Sequence, residues 1–210
     1  MTILRHVRRV ADRAAPAIAD PESRLTVPPF TAHTADTAPA AARPTIEGVR
    51  RRFGHLPAAV GLMAESPELL TGFLTVNGIF EKCALDPVER EVVVMTVATR
   101  NECHLCVAMH TATLTRQGAA PELIGALRAG TPLPDDRLEA LRCFTLAVLD
   151  HSGAVPEDGI SAFLTAGYQP RHALDVVLGV GTYTISTFAN RLTDAPLDPP
   201  VAAYAWAPAG

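Results

Sequence analysis

The chain has 210 residues, 48% of them hydrophobic but only 5% aromatic, and a formal charge of −4. That length fits one domain with a substantial core, and an apolar content dominated by Ala, Val and Leu leans towards helices packed on helices. The acidic balance and the lack of a Lys/Arg-rich run remove the electrostatic footprint of a nucleic-acid binder, and the apolar run Val92 to Ala98 falls far short of the roughly 20 residues of a spanning helix. No nucleic-acid or membrane partner is expected.

In chain order, Leu4, Val7, Val10, Ala11 and Ala14 fall on one side of a helix with Arg5, Arg8, Arg9 and Arg13 around it, which predicts a short amphipathic helix. Arg8 and Arg9 are paired as in an export signal, but Asp12 and Arg13 stand where an apolar stretch of about 7–15 residues is required, so the expected location is cytoplasmic. The segment 21–44 is rich in Pro, Thr and Ala, lacks a sustained period and reads as an extended linker. Residues 1–43 are therefore expected to form an N-terminal arm, 44–200 a helical domain, and 201–210 a tail.

Within 44–200 the punctuation is helical. Thr45 is the expected cap of "IEGVRRRF", with Gly54 as its stop, and Ser66-Pro67-Glu68 opens a second helix carrying Leu69, Leu70, Phe73, Leu74, Ile79 and Phe80. In "LDPVEREVVVMTVATRN", Asp86, Pro87 and Glu89 make a capping-box start; the β-branched run suits a strand, yet the cap signals favour helix. A helix after Asn101 carries Cys103, Cys106 and His110 and ends at Gly118. Pro121 to Ala129, Asp135 or Asp136 to Asp150, Pro156 to Ala166, and Pro170 to about Asn190 complete the set. The fold class expected is all-α.

"RNECHLCVAMH" carries the chemistry. Residues three or four apart share a helix face, so Cys103, Cys106 and His110 form one stripe. At a helix start, unpaired N–H groups and the positive end of the dipole stabilise a thiolate, and the two sulfurs are close enough for a disulfide. His110 suits proton exchange near neutral pH. A metal site of Cys103, Cys106, His110 and Glu91 is the competing reading, but structural zinc commonly takes a second ligand pair from a distant segment, and no second Cys/His pair is present.

The pattern resembles the alkylhydroperoxidase D and carboxymuconolactone decarboxylase-like family, whose redox members carry a glutamate, a Cys-x-x-Cys pair and a following histidine on adjacent helices. The matching text is "LDPVEREVVVMTVATRNECHLCVAMHTATL", with Glu91 twelve residues before Cys103, Asn101 just ahead of the pair and His110 four after Cys106. "RRFGHLPAAVGLMAESPELL" and "STFANRLTDAPLDP" look like the peroxidase-related branch. The resemblance implies an alkylhydroperoxidase D-type helical bundle that acts as a thiol-dependent peroxidase or disulfide oxidoreductase. By it, Cys106 meets the hydroperoxide, Cys103 resolves the sulfenic acid to a disulfide, and Glu91 with His110 relays the proton. It also implies a homo-oligomer, a trimer or hexamer.

No bound cofactor and no metal is expected. Electrons would come from a protein dithiol or a small thiol, since no Gly-rich dinucleotide loop is present. Glu89 rivals Glu91 as the carboxylate but fits better as a cap. The best-known redox members also have a histidine directly before the second cysteine; Leu105 stands there in this chain and His104 follows Cys103, which weighs against a full relay and less against disulfide exchange. The family's decarboxylases run on acid–base residues without a cysteine pair, and a cofactor-free enzyme acting on a lactone is the alternative.

Cys83 and Cys143, each among apolar neighbours, are expected in the core. His55, His151 and His172 fall at helix ends or turns, and His6 and His33 have no expected chemistry. Arg191 is expected to close a helix C-terminus. The roles of Tyr183 and Trp206, at an interface or a pocket, stay open.

Overall fold

The computed structural model describes residues 30–208. Among the described residues the chain forms α1 (Arg43–Phe53), α2 (Ala58–Met63), α3 (Pro67–Phe80), α4 (Pro87–Arg100), α5 (His104–Arg116), α6 (Pro121–Ala129), α7 (Asp136–Asp150), α8 (Glu157–Thr165), α9 (Pro170–Leu192) and a 3₁₀ turn at Pro199–Tyr204, with no strand. The fold is all-α, as the sequence implied. The helix expected around Leu4 to Ala14 lies outside the described residues. None of the described helices is long and apolar enough to cross a membrane.

α4 is the spine. Asp86 accepts the Glu89 N–H at 2.8 Å while Glu89 Oε2 accepts the Asp86 N–H at 2.8 Å, and Pro87 occupies the first turn. This reciprocal cap satisfies donors that only a helix leaves orphaned, and it decides for helix a Val-rich segment that could also pair as a strand. Val92 to Ala98 are buried on every side, because α5, α6, α7 and α9 all pack around them. The close approach of α9 depends on Gly179: a Cβ there would lie 2.7 Å from the Phe80 ring and 2.9 Å from Val93.

Helix starts at Ser66, Asp86 and Asp135 and stops at Gly54 and Gly130 fall where the sequence places them. Thr45 does not cap α1. The N-cap is Ala42, and the helix begins a turn earlier because Ala42 and Ile46, with Ala38, Met63, Ala64 and Leu70, form a second apolar cluster that draws this face inward. α2 has no local signature. Its first N–H, Ala58, is held by the Asp198 carboxylate at 3.2 Å, and Gly61 within it lets the His33 backbone lie alongside, the His33 N–H donating to Gly61 O at 3.0 Å.

The Pro-broken tail is buckled to α6. Arg128 donates to the Tyr204 and Ala205 carbonyls at 3.0 and 2.9 Å, and Trp206 Nε1 returns a bond to Arg128 O at 2.8 Å. The 3₁₀ turn packs on α5 as a result.

Candidate active site

α4 and α5 are joined by a tight reversal. Asn101 caps the C-terminus of α4, Glu102 takes a left-handed φ of 52°, and Cys103 is the N-cap of α5. Arg191 on α9 donates to Asn101 O and reaches Glu102 Oε2 at 3.4 Å, while Asn101 Nδ2 donates to Thr187 Oγ1 at 2.9 Å. Arg191 thus closes a helix C-terminus, that of α4 rather than its own.

This reversal sets the sulfurs. Cys103 Sγ accepts the Cys106 N–H at 3.3 Å, as a serine cap would, and the two residues, 5.3 Å apart at Cα, are joined as a disulfide. Both are buried, at 1% and 2% exposure, but only Cys106 lines a cavity of about 550 Å³. That volume falls within the range of small-molecule sites, and its wall is largely apolar, with Met63, Phe73, Leu74, Val94, Met109 and Val201 among the lining residues.

Across the antiparallel α4–α5 pair, Glu91 and His110 meet in the same cavity. His110 Nδ1 and Glu91 Oε2 are 2.7 Å apart, both side chains nearly buried. With Nδ1–H donated to the carboxylate, the imidazole is fixed in orientation and tautomer, and Nε2 is the nitrogen left for proton exchange. Glu89 is elsewhere: besides its capping bond it pairs with Arg137, outside the cavity lining. Leu105 is a core residue, and His104 does not reach the cavity wall.

α9 supplies what the sequence motif lacks. Tyr183 stacks edge-on to His110 at 5.1 Å between centroids and donates to Asn77 Oδ1 at 3.0 Å; Asn77 Nδ2 in turn donates to Glu81 at 3.1 Å. Burial first, and then the Glu91 carboxylate, push the Tyr183 phenol well above its ordinary range, so it stays protonated. One helical turn onward, Ser186 faces the cavity. Asn190 follows, its Nδ2 3.3 Å from Cys106 Sγ. The sequence leaves Tyr183 undecided and is silent on Asn77, Ser186 and Asn190.

The metal alternative is not assembled. The sulfurs are bonded to each other and Glu91 to His110, and among the described residues no group of three or more His, Cys, Asp or Glu is placed to hold a metal ion. Cys83 is half-buried against the core, its thiol pushed up chiefly by burial. Cys143 departs from expectation: it is exposed on α7, where its S–H donates to Glu139 at 3.2 Å, because its apolar sequence neighbours turn inward while it faces out. His151 caps the C-terminus of α7, and His172 Nδ1 accepts the Gln169 N–H at the start of α9. His55 lies at the cavity edge, bonded to Phe53 O, and His33 pairs with Glu65 at 2.7 Å.

Residues 67–139 match the sequence model of the carboxymuconolactone decarboxylase family. No curated protein matches the chain significantly. Among solved structures, the fold is similar to an alkylhydroperoxidase AhpD core, an uncharacterized peroxidase-related protein from Ralstonia eutropha JMP134, with 21% identity over 82% of this chain and 93% of that one and a TM-score of 0.72. It is similar to an uncharacterized peroxidase-related protein from Silicibacter sp. TM1040, with 19% identity over 83% and 94% of the two chains and a TM-score of 0.69. A debrominase, Bmp8, in complex with 2,3,4-tribromopyrrole, shares the fold at 14% identity over 87% and 96%, with a TM-score of 0.64. The matched segment runs from α3 into α7 and contains Glu91, Cys103, Cys106 and His110, and the helices around it follow the fold of the alkylhydroperoxidase AhpD core.

Proposed function

We propose that this protein is a thiol-dependent peroxidase that reduces organic hydroperoxides, with Cys106 as the attacking sulfur, Cys103 as the resolving one, and Glu91–His110 as the proton relay. The observation that carries the reading is the convergence, in one apolar cavity, of the Cys106 sulfur and a His110 imidazole oriented by a buried Glu91 carboxylate. An apolar wall suits the organic part of such a substrate.

His110 Nε2 takes the Cys106 proton, and the thiolate attacks the terminal oxygen of ROOH. The S–O bond forms, the O–O bond breaks, and the departing RO⁻ takes the proton back from His110 to leave as ROH. Cys106 is now a sulfenic acid, oxidised by two electrons. Cys103 displaces its hydroxyl, the S–S bond forms and water leaves. A protein dithiol or small thiol then reduces the disulfide by exchange, becoming a disulfide itself. We place this cycle in the reducing cytosol, in a homo-oligomer, trimer or hexamer, as the family resemblance implies.

Intact-mass alkylation before and after one equivalent of cumene hydroperoxide tests the assignment. Loss of two alkylatable thiols in the wild type is expected, with a sulfenic acid trapped in Cys103→Ser and none in Cys106→Ser. Thiols left untouched by an excess of hydroperoxide would sink the reading. One observation favours a second reading, a cofactor-free acid–base enzyme acting on a lactone: the Glu91–His110 pair does not need either sulfur for its geometry. Lactone turnover that survives replacement of both cysteines by serine would select it.

A further inference from the structure

α9 presents Tyr183, Ser186 and Asn190 to the cavity along one face, and the last of these is only 4% exposed. Its Nδ2 lies 3.3 Å from Cys106 Sγ and 3.5 Å from Ser186 Oγ. A thiolate or disulfide sulfur has lone pairs and no proton to give, so the amide must turn its N–H to sulfur, and Oδ1 is left as an acceptor. That oxygen is buried and has no hydrogen-bond partner among the described residues. Buried acceptors are rarely left so, and one carried by a cavity-lining residue whose amide N–H is bonded to the reactive sulfur is placed to take a donor brought by the ligand.

The donor is in the chemistry. A hydroperoxide ends in an O–H, and the oxygen that bears this proton is the one the thiolate attacks. Resting on the thiol-peroxidase reading, we propose that Asn190 is the substrate-orienting residue: Nδ2–H steadies the Cys106 thiolate while Oδ1 accepts the hydroperoxide O–H and holds its terminal oxygen against sulfur. The site is thereby selective for oxidants that carry a terminal hydroxyl over electrophiles of similar size that lack one. After the O–O bond breaks, the same hydroxyl is on sulfur as the sulfenic acid and keeps its bond to Oδ1. The proton on it never moves during oxygen transfer; the proton that moves is the one passed from Cys106 through His110 to RO⁻.

A ratio of rates tests this. Reduced protein is mixed with cumene hydroperoxide, and separately with methyl iodide, which carries no hydrogen-bond donor and alkylates the same Cys106 thiolate, in a Cys103→Ser background so that only one sulfur of the pair reacts. Because both reactions scale with the fraction ionised, their ratio is independent of thiol acidity. In Asn190→Leu, close to asparagine in size, and in the smaller Asn190→Ala, the hydroperoxide-to-alkylation ratio should fall about tenfold or more, the loss of one oriented hydrogen bond. Asn190→Asp keeps an acceptor at Oδ and should hold the ratio within about threefold of wild type while slowing both reactions, since a carboxylate beside sulfur disfavours the thiolate. An unchanged ratio in the folded apolar variants, or an equal loss in Asn190→Asp, would overturn the assignment and leave the peroxidase reading standing. A wild type that is alkylated but never oxidised would overturn both.

Discussion

Glu91 and Glu89 are two residues apart on one helix and do different jobs, because two positions turn a side chain to the far side of the cylinder. Glu89 is held by its cap and by Arg137, and Glu91 by His110. Glu91→Gln removes the charge that favours the imidazolium formed when His110 takes the Cys106 proton. Hydroperoxide reduction should fall by about 10²-fold, the lower range of general acid–base contributions, while disulfide exchange with an aromatic disulfide drops far less; stopped-flow rates for the two oxidants would check it. Glu139 offers a test in acid. Burial works to raise its carboxyl, but the bidentate Arg142 guanidinium at 2.7 Å, the Leu133 N–H and the Cys143 S–H outweigh burial and hold it at about 2, against an ordinary 4.5. A pKa depressed on folding adds stability above the ordinary value and loses it as pH falls towards the folded one. Melting temperature should therefore drop between about pH 4.5 and pH 2, less steeply in Glu139→Gln than in the wild type.

Helix packing gives a test of another kind. Gly179→Ala replaces a poor helix former by the best one, a gain of about 1 kcal/mol in an open helix, yet its methyl would meet Phe80 and Val93 at under 3 Å. Overpacking should win, with a net loss of about 1–3 kcal/mol in chemical denaturation and α9 eased away from α4. A variant as stable as wild type would mean that the α9–α4 seam can open without cost. The same seam explains which parts of the site were readable in advance. Cys103, Cys106 and His110 share the start and one face of a single helix, which spacing alone shows, whereas Glu91 on the helix before it is singled out by the family resemblance. Asn77, Tyr183, Ser186 and Asn190 reach the cavity from α3 and α9, and their sequence spacing is that of any buried helix face; only the packing of α9 on α4 and α5 shows what they address. The capped helices are readable for the same local reason. α2 is not, because what holds its first N–H is a carboxylate 140 residues away, and α1 starts ahead of Thr45 because burial of Ala42, and no side-chain cap, sets it.

For the molecule as a whole, the outer face of α9 is the surface left over. Leu174, Val177, Phe188 and Leu192 are 72%, 49%, 59% and 72% exposed along it, an apolar stripe on the side opposite Asn190 and Tyr183. Stripes of this kind ordinarily mark an interaction surface, and we propose self-association as its use. Leu174→Glu combined with Phe188→Glu should reduce the mass in light scattering to that of a single chain while leaving thiol reactivity in place; an oligomer that survives both charges would assign its interface elsewhere. The tie between Asp198 and Ala58 has a meaning in time as well as in space. Proteins are made from the N-terminus, so the two thiols emerge and can react well before the Asp198 carboxylate and the Val201 and Tyr204 walls exist. A chain clipped before residue 198 would carry the dithiol in a chamber that lacks its Asp198, Val201 and Tyr204 side.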